Sequence, residues 1–194
     1  MADYKELYRK QRELNKSLQK HVQTLHTSLT SLQNSKDSLT GLYKRDYLYP
    51  ALEKYLLNLR RYNDKFSVIF IDVDDFKSVN DKHGHLSGDD VLRTLGTVIR
   101  ASIRTTDIAI RYGGDEFLII VHASAQSVVN VAQKILRRFS REEFYDAAGD
   151  SFNVTLSVSV YQPTAKDTEN DILHKADTGL YKAKLSGKQR VVVH

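Results

Sequence analysis

Apolar and neutral positions recur every three or four residues through the first part of the chain, at Tyr4, Tyr8, Gln11, Asn15, Leu18, Val22, Leu25, Leu29 and Leu32, with lysines, arginines and glutamines between them. This is a heptad seam. No Pro or Gly interrupts it before Gly41, so it predicts a helix of about 35 residues, roughly 50 Å long. A stripe this narrow suits a parallel two-stranded coiled coil, and Asn15 on the seam is the residue type that fixes register in dimers. An amphipathic helix folded back on its own domain is the alternative. Because the pattern begins in mid-helix, an upstream sensor domain is expected.

Ser35 to Gly41 breaks the heptad and reads as a linker. Beyond it, Tyr47, Leu48, Ala51, Leu52, Tyr55, Leu56 and Leu59 recur at helical spacing. Phe66 to Ile71 is a short, almost wholly apolar run, the pattern of a central strand buried on both faces, and Asp72, Asp74 and Asp75 follow at its exit. Leu86 to Ile103 is again helical, with Asp89 and Asp90 assigned to its first turn, where carboxylates suit the helix dipole. Ile108 to Tyr112 and Phe117 to Val121, joined by Gly113-Gly114, predict a hairpin. A helix near Ala125 to Phe139, strand material at Phe152 to Tyr161, a helix near Glu169 to Leu185 stopped by Gly187, and a last strand at Arg190 to Val193 complete the chain. The order predicts an α+β sandwich with a central, mostly antiparallel sheet.

Composition narrows the chemistry. The chain has no cysteine, which excludes disulfides, thiolate metal sites and cysteine nucleophiles and fits a reducing cytoplasm. The longest apolar runs are too short to span a bilayer. The net charge of +5 is uneven: residues 1–36 hold seven Lys/Arg against three acids, whereas the remaining 158 carry 22 against 21. The globular part therefore has no bulk nucleic-acid footprint. If the strand ending at Ile71 neighbours the hairpin, Asp72 comes near Asp115 and Glu116. Carboxylate oxygens without sulfur or a histidine cluster select Mg²⁺ or Mn²⁺, although acids at strand ends also serve simply to keep an edge solvated. Successive strand residues face opposite sides, so only one of Asp115 and Glu116 is expected to face Asp72.

The segment Arg111-Tyr112-Gly113-Gly114-Asp115-Glu116-Phe117 resembles the signature of GGDEF-domain diguanylate cyclases. Four further segments resemble the family's motifs in the family's order: Asp37-Ser38-Leu39-Thr40-Gly41-Leu42, Asp72 to Asp81, Gly84-His85-Leu86-Ser87-Gly88-Asp89, and Ala176-Asp177 to Lys188. The resemblance runs from Asp37 to the C-terminus, giving a coiled-coil helix over 1–36 and a catalytic domain over 37–194. It implies a polymerase-palm-like fold that condenses two GTP into cyclic di-GMP with release of two pyrophosphates. Each domain would hold one GTP, and two domains would meet face to face as a homodimer, for which the N-terminal helix supplies effective concentration.

The resemblance assigns metal binding to Asp72, the Val73 carbonyl, Asp115 and Glu116, with two Mg²⁺ (or Mn²⁺) per site and Asp115 as general base. Lys77 would offset triphosphate charge, whereas taken alone a lysine in such a loop is simply solvated. Asn80 and Asp89 would read guanine, a carboxylate being able to accept from guanine N1–H and N2–H; their ordinary readings are a turn asparagine and a helix-start aspartate. Phe76 and His85 would also contact nucleotide, and Lys184 and Lys188 the β and γ phosphates. Arg104 and Asp107, as an RxxD pair joined by Arg111, would form an inhibitory site for cyclic di-GMP; alone, an Arg and an Asp three apart are a surface ion pair. The sequence departs from the family at Lys188 (commonly arginine), Lys44 (asparagine) and Ser159 (glycine). A catalytically silent module that binds GTP or cyclic di-GMP, or a dimerising scaffold, are the competing readings.

Overall fold

The computed structural model describes residues 11, 12, 14–16, 18–20, 22 and 35–194. It divides into two units, Met1–Lys36 and Asp37–His194. In the first, the described residues from 11 to 22 are helical, with Leu14, Leu18 and Val22 exposed. The seam positions Tyr4, Tyr8, Leu25, Leu29 and Leu32 lie outside the described residues.

The second unit is a six-stranded sheet between two helical layers. Its strands are β1 (Tyr43–Lys44), β2 (Ser67–Val73), β3 (Ile108–Arg111), β4 (Glu116–Val121), β7 (Leu156–Tyr161) and β8 (Val191–Val193), in the order β1-β3-β4-β2-β7-β8. The β3·β4, β4·β2 and β2·β7 pairs are antiparallel, while β1 and β8 add in parallel at the two edges. Strand alternation sorts the side chains of β2. Val68 and Phe70 join a core with the helices α1 (Leu48–Tyr62) and α5 (Glu169–Leu185). Ile69, Ile71 and Val73 join the opposite core with α3 (His85–Arg100) and α4 (Ala125–Phe139). Every residue of β2 is buried, which is why its sequence is apolar without alternation.

Four expectations need correction. The Asp37–Gly41 segment is not a linker but a turn of the domain: Asp37 Oδ1 accepts from Thr40 N (2.9 Å) and Thr40 Oγ1 (2.7 Å), and Arg100 donates to the Thr40 carbonyl. A short helix, α2 (Phe76–His83), precedes α3 and is separated from it by Gly84, at φ 85°; only Phe76 and Val79 mark its inner face, too few to give a period. As α3 begins at His85 and ends at Arg100, Asp89 and Asp90 lie in its second turn, and its first turn holds no acid. Finally, the strand material expected from Phe152 is split. Ser151–Phe152 (β6) pairs with Phe144–Tyr145 (β5) in a separate ladder. That ladder holds the end of α2, with the His83 ring stacked 4.0 Å from Phe152 and its Nδ1 3.0 Å from Asp146 Oδ2. Among the described residues no helix is long and apolar enough to cross a membrane.

Candidate active site

Three chain segments converge at one end of the sheet: the exit of β2, the β3–β4 turn, and the end of α5. The register of β2 on β4 sets Asp72 directly opposite Glu116. Both share the parity of Phe70 and Leu118, and so the α5 side of the sheet. Glu116, not Asp115, is therefore the acid facing Asp72. Asp115 sits in the turn, where its carbonyl accepts from Val73 N (3.3 Å). From α5, whose start is fixed by a Thr168/Asp171 capping box, Lys184 Nζ reaches 2.8 Å from Asp72 Oδ1.

Burial raises the Asp72 pKa, and the Asp115 and Asp74 charges add to it against the opposing pull of Lys184. Burial likewise raises that of Glu116, helped by Asp72, Asp115 and Asp177. The site thus gathers carboxylates whose charged forms burial and one another disfavour, with Lys184 offsetting them in part. Among the described residues no three His, Asp or Glu side chains are gathered closely enough to hold a metal ion by themselves.

The turn is built around the Glu116 carboxylate. A Cβ on Gly113 would overlap Glu116 Oε2, and neither Gly113 nor Gly114 has a positive φ, so Gly113 is needed for space and not for backbone freedom. Arg111 clamps the turn: its Nη2 donates to Gly114 O (2.7 Å) while Nη1 lies 3.2 Å from Asp37 Oδ1. The acids after Asp72 divide their tasks. Asp74 is buried and accepts from Ser157 Oγ and Thr155 Oγ1 (both 2.6 Å) and from Gln189 N (3.3 Å). Asp75, in the left-handed region at φ 56°, accepts Lys188 Nζ on both oxygens at 2.7 Å. Asp74, Asp75 and Gly113 shape the site; the sequence marks all three by position, but not the contacts through which they do so.

Phe76, Lys77 and Asn80 lie on α2, and His85 and Asp89 on α3. Asn80 packs on Gly88, beside Asp89; Lys77, His85 and Asp89 are exposed. Arg104 and Asp107 form no side-chain ion pair. Asp107 Oδ2 instead accepts from Arg104 N (2.9 Å), closing the turn before β3. Arg111 is not brought to them, because it ends β3, about 13 Å along the strand from Asp107. A cavity of about 320 Å³ opens beside this loop, lined by Tyr47, Lys54, Tyr55, Thr106 and His122 among others.

Residues 34–190 match the family described as "Diguanylate cyclase, GGDEF domain". The chain belongs to the GGDEF family. Among curated relatives of this GGDEF chain, the response regulator PleD of Caulobacter vibrioides is 36% identical over 159 residues, covering 80% of this chain and 35% of PleD. The diguanylate cyclase DgcS of Shewanella oneidensis is 35% identical over 158 residues, covering 81% of this chain and 52% of DgcS. The chain thus spans between a third and about half of these relatives. Among solved structures, the GGDEF domain of DgcB from Caulobacter crescentus in complex with c-di-GMP superposes with a TM-score of 0.79 at 26% identity, covering 82% of this chain and 93% of that one. The coiled coil and GGDEF domain of the same protein gives 0.85 at 23% identity, covering 94% and 97%, a likeness of fold alone.

Proposed function

We propose that this chain is the catalytic part of a diguanylate cyclase that joins two GTP into cyclic di-GMP as a dimer of half-sites. The observation that carries this reading is the Asp72–Glu116 register with Lys184 at its edge. Asp72, the Val73 carbonyl, Asp115 and Glu116 would hold Mg²⁺ or Mn²⁺, two per site, with substrate phosphates as further ligands. The fit is supported by an all-oxygen donor set and by acids whose burial and mutual repulsion a cation relieves. When bound, the ions would polarise the α-phosphate and stabilise the charge that develops on it.

The chain's own residues do the rest. Lys184 and Lys188 turn from Asp72 and Asp75 to the β and γ phosphates, and Lys77 offsets triphosphate charge. Asn80 and Asp89 read the guanine, flanked by Phe76 and His85. Asp115 takes the proton from the 3′-hydroxyl as its oxygen bonds to the partner nucleotide's α-phosphorus and pyrophosphate leaves. Two such transfers close the ring. Leu18 and Val22, seam positions left exposed on the described helix, support pairing of the N-terminal helices, downstream of a sensor domain in a cytoplasmic protein. Arg104, exposed in the loop whose Thr106 lines the 320 Å³ cavity, and Asp107 would bind the product and inhibit.

The test is incubation of the full chain with GTP and Mg²⁺ and chromatographic detection of cyclic di-GMP. Wild type should form it, and Asp115→Ala should form none while remaining a folded dimer. Added product should slow wild type and not Arg104→Ala. Wild type that binds GTP without making product would establish the silent-module reading instead.

A further inference from the structure

Gly88 lies in the first turn of α3, where glycine is a poor helix former. Its φ is not positive, so backbone conformation does not call for it either. Space does. A Cβ built on Gly88 would overlap Asn80 Oδ1 and stand 3.1 Å from Asn80 Cγ and 3.3 Å from Phe76 Cζ. The Asn80 carboxamide occupies the volume in which any other residue at position 88 would place its side chain.

That amide has no hydrogen-bond partner among the described residues, and neither has the carboxylate of Asp89, the next residue of α3. Asp90, one residue further on, is paired with Arg93. Two unpartnered polar groups therefore meet at one glycine, one from each of two successive helices. The amide offers both a donor and an acceptor, and the carboxylate two acceptor oxygens. Together they match a base edge that presents two N–H donors beside an acceptor.

We infer that Gly88 is a specificity-determining position: its missing side chain seats the Asn80 amide against α3, one residue from Asp89, so that the two groups read a single guanine. The inference rests on the guanine reading of Asn80 and Asp89 made above and deepens it. A methyl group at position 88 displaces the Asn80 amide, whereas Phe76 Cζ, 3.3 Å away, has to give by only a few tenths of an ångström, and the acids, lysines and cores stay untouched. Gly88 is a positioning residue and touches no substrate. Its loss should appear in base recognition and not in folding, because alanine is the better helix former.

The test is calorimetric titration of the full chain with 3′-deoxy-GTP and Mg²⁺, a nucleotide that lacks the attacking hydroxyl, alongside 3′-deoxy-ATP. Gly88→Ala should weaken 3′-deoxy-GTP binding about tenfold, the worth of one well-placed hydrogen bond. It should leave 3′-deoxy-ATP binding unchanged and the Tm equal or higher. Asn80→Ala should weaken 3′-deoxy-GTP binding by a similar factor, and the double variant should be no weaker than Asn80→Ala, because position 88 acts only through Asn80. Losses that multiply in the double variant, or an equal loss for both nucleotides with a fallen Tm, would make Gly88 a packing residue and overturn the inference. Wild-type affinity in Gly88→Ala beside weakened Asn80→Ala would overturn it and leave the reading of Asn80 standing. Wild-type affinity in both variants would overturn the two together.

Discussion

Glu116→Gln should make the metal-free protein more stable while abolishing its chemistry. Asp72 and Glu116 are directly opposed across antiparallel strands, which sets their Cβ atoms about 5 Å apart. Two like charges at that separation repel by roughly 3 kcal/mol at an effective dielectric constant near 20. Solvent around the half-buried Glu116 and the Lys184 ammonium on Asp72 reduce this to a net gain on the order of 1 kcal/mol, or about 2–4 °C in Tm for a chain of this size.

The pH dependence fixes the cause. Burial and the neighbouring acids raise the Glu116 pKa above its ordinary 4.5, so the folded state binds a proton that the unfolded state has released. The penalty is therefore fully present above the folded value and vanishes below 4.5. Thermal melts in a chelating buffer should give Glu116→Gln the higher Tm at pH 7.5 and equal values near pH 4. Millimolar Mg²⁺ should narrow the gap by stabilising wild type alone. A variant no more stable than wild type at pH 7.5, or one whose advantage persists at pH 4, would refute the electrostatic account of this site.

Two further outcomes are expected. Burial would raise the Asp167 pKa, but bonds from Lys175, Thr164 and Tyr161 hold it at about 2; its contribution of about 2 kcal/mol is complete above 3.8 and is lost as pH falls through 2, so urea denaturation of Asp167→Asn should lack that acid-sensitive limb. Removing residues 1–36 should leave a folded, monomeric domain whose specific activity is low at micromolar concentration and rises steeply with protein concentration, since pairing supplies effective concentration and not chemistry; a monomer of undiminished activity would exclude the dimer requirement.

Hydropathy made the sheet legible where burial is one-sided in sequence terms. The β3–β4 hairpin and the apolar stretch of β2 stand out because their neighbours are polar. The end of β2 does not stand out: the strand continues through Asp72 to Val73, where ladder partners Ser157 and Leu156 hold it, and a charged residue inside a strand looks like a strand's end. The short α2 escaped notice for the opposite reason, since only Val79 among its residues is fully buried.

The site residues were legible by type and motif, and their arrangement was not. Arg111 and Asp37 are 74 positions apart, and Lys188 and Asp75 are 113 apart, so no local pattern joins either pair. The same limit hid the partners of the lysines. In sequence, Lys184 and Lys188 are two cations at a helix end; in the fold, each already sits on a carboxylate, Lys184 on Asp72 within β2 and Lys188 on Asp75 just after it. The end of α5 and the loop after it are thereby tied to the exit of β2, by a half-buried pair at Lys184, whose partner Asp72 is only 9% exposed, and by an exposed pair at Lys188, of the kind that contributes little. Of the two, the Lys188–Asp75 pair is the one exposed enough to exchange partners readily. At position 188, lysine stands where the resemblance has arginine more commonly, and a point charge leaves its carboxylate more readily than a bidentate fork does.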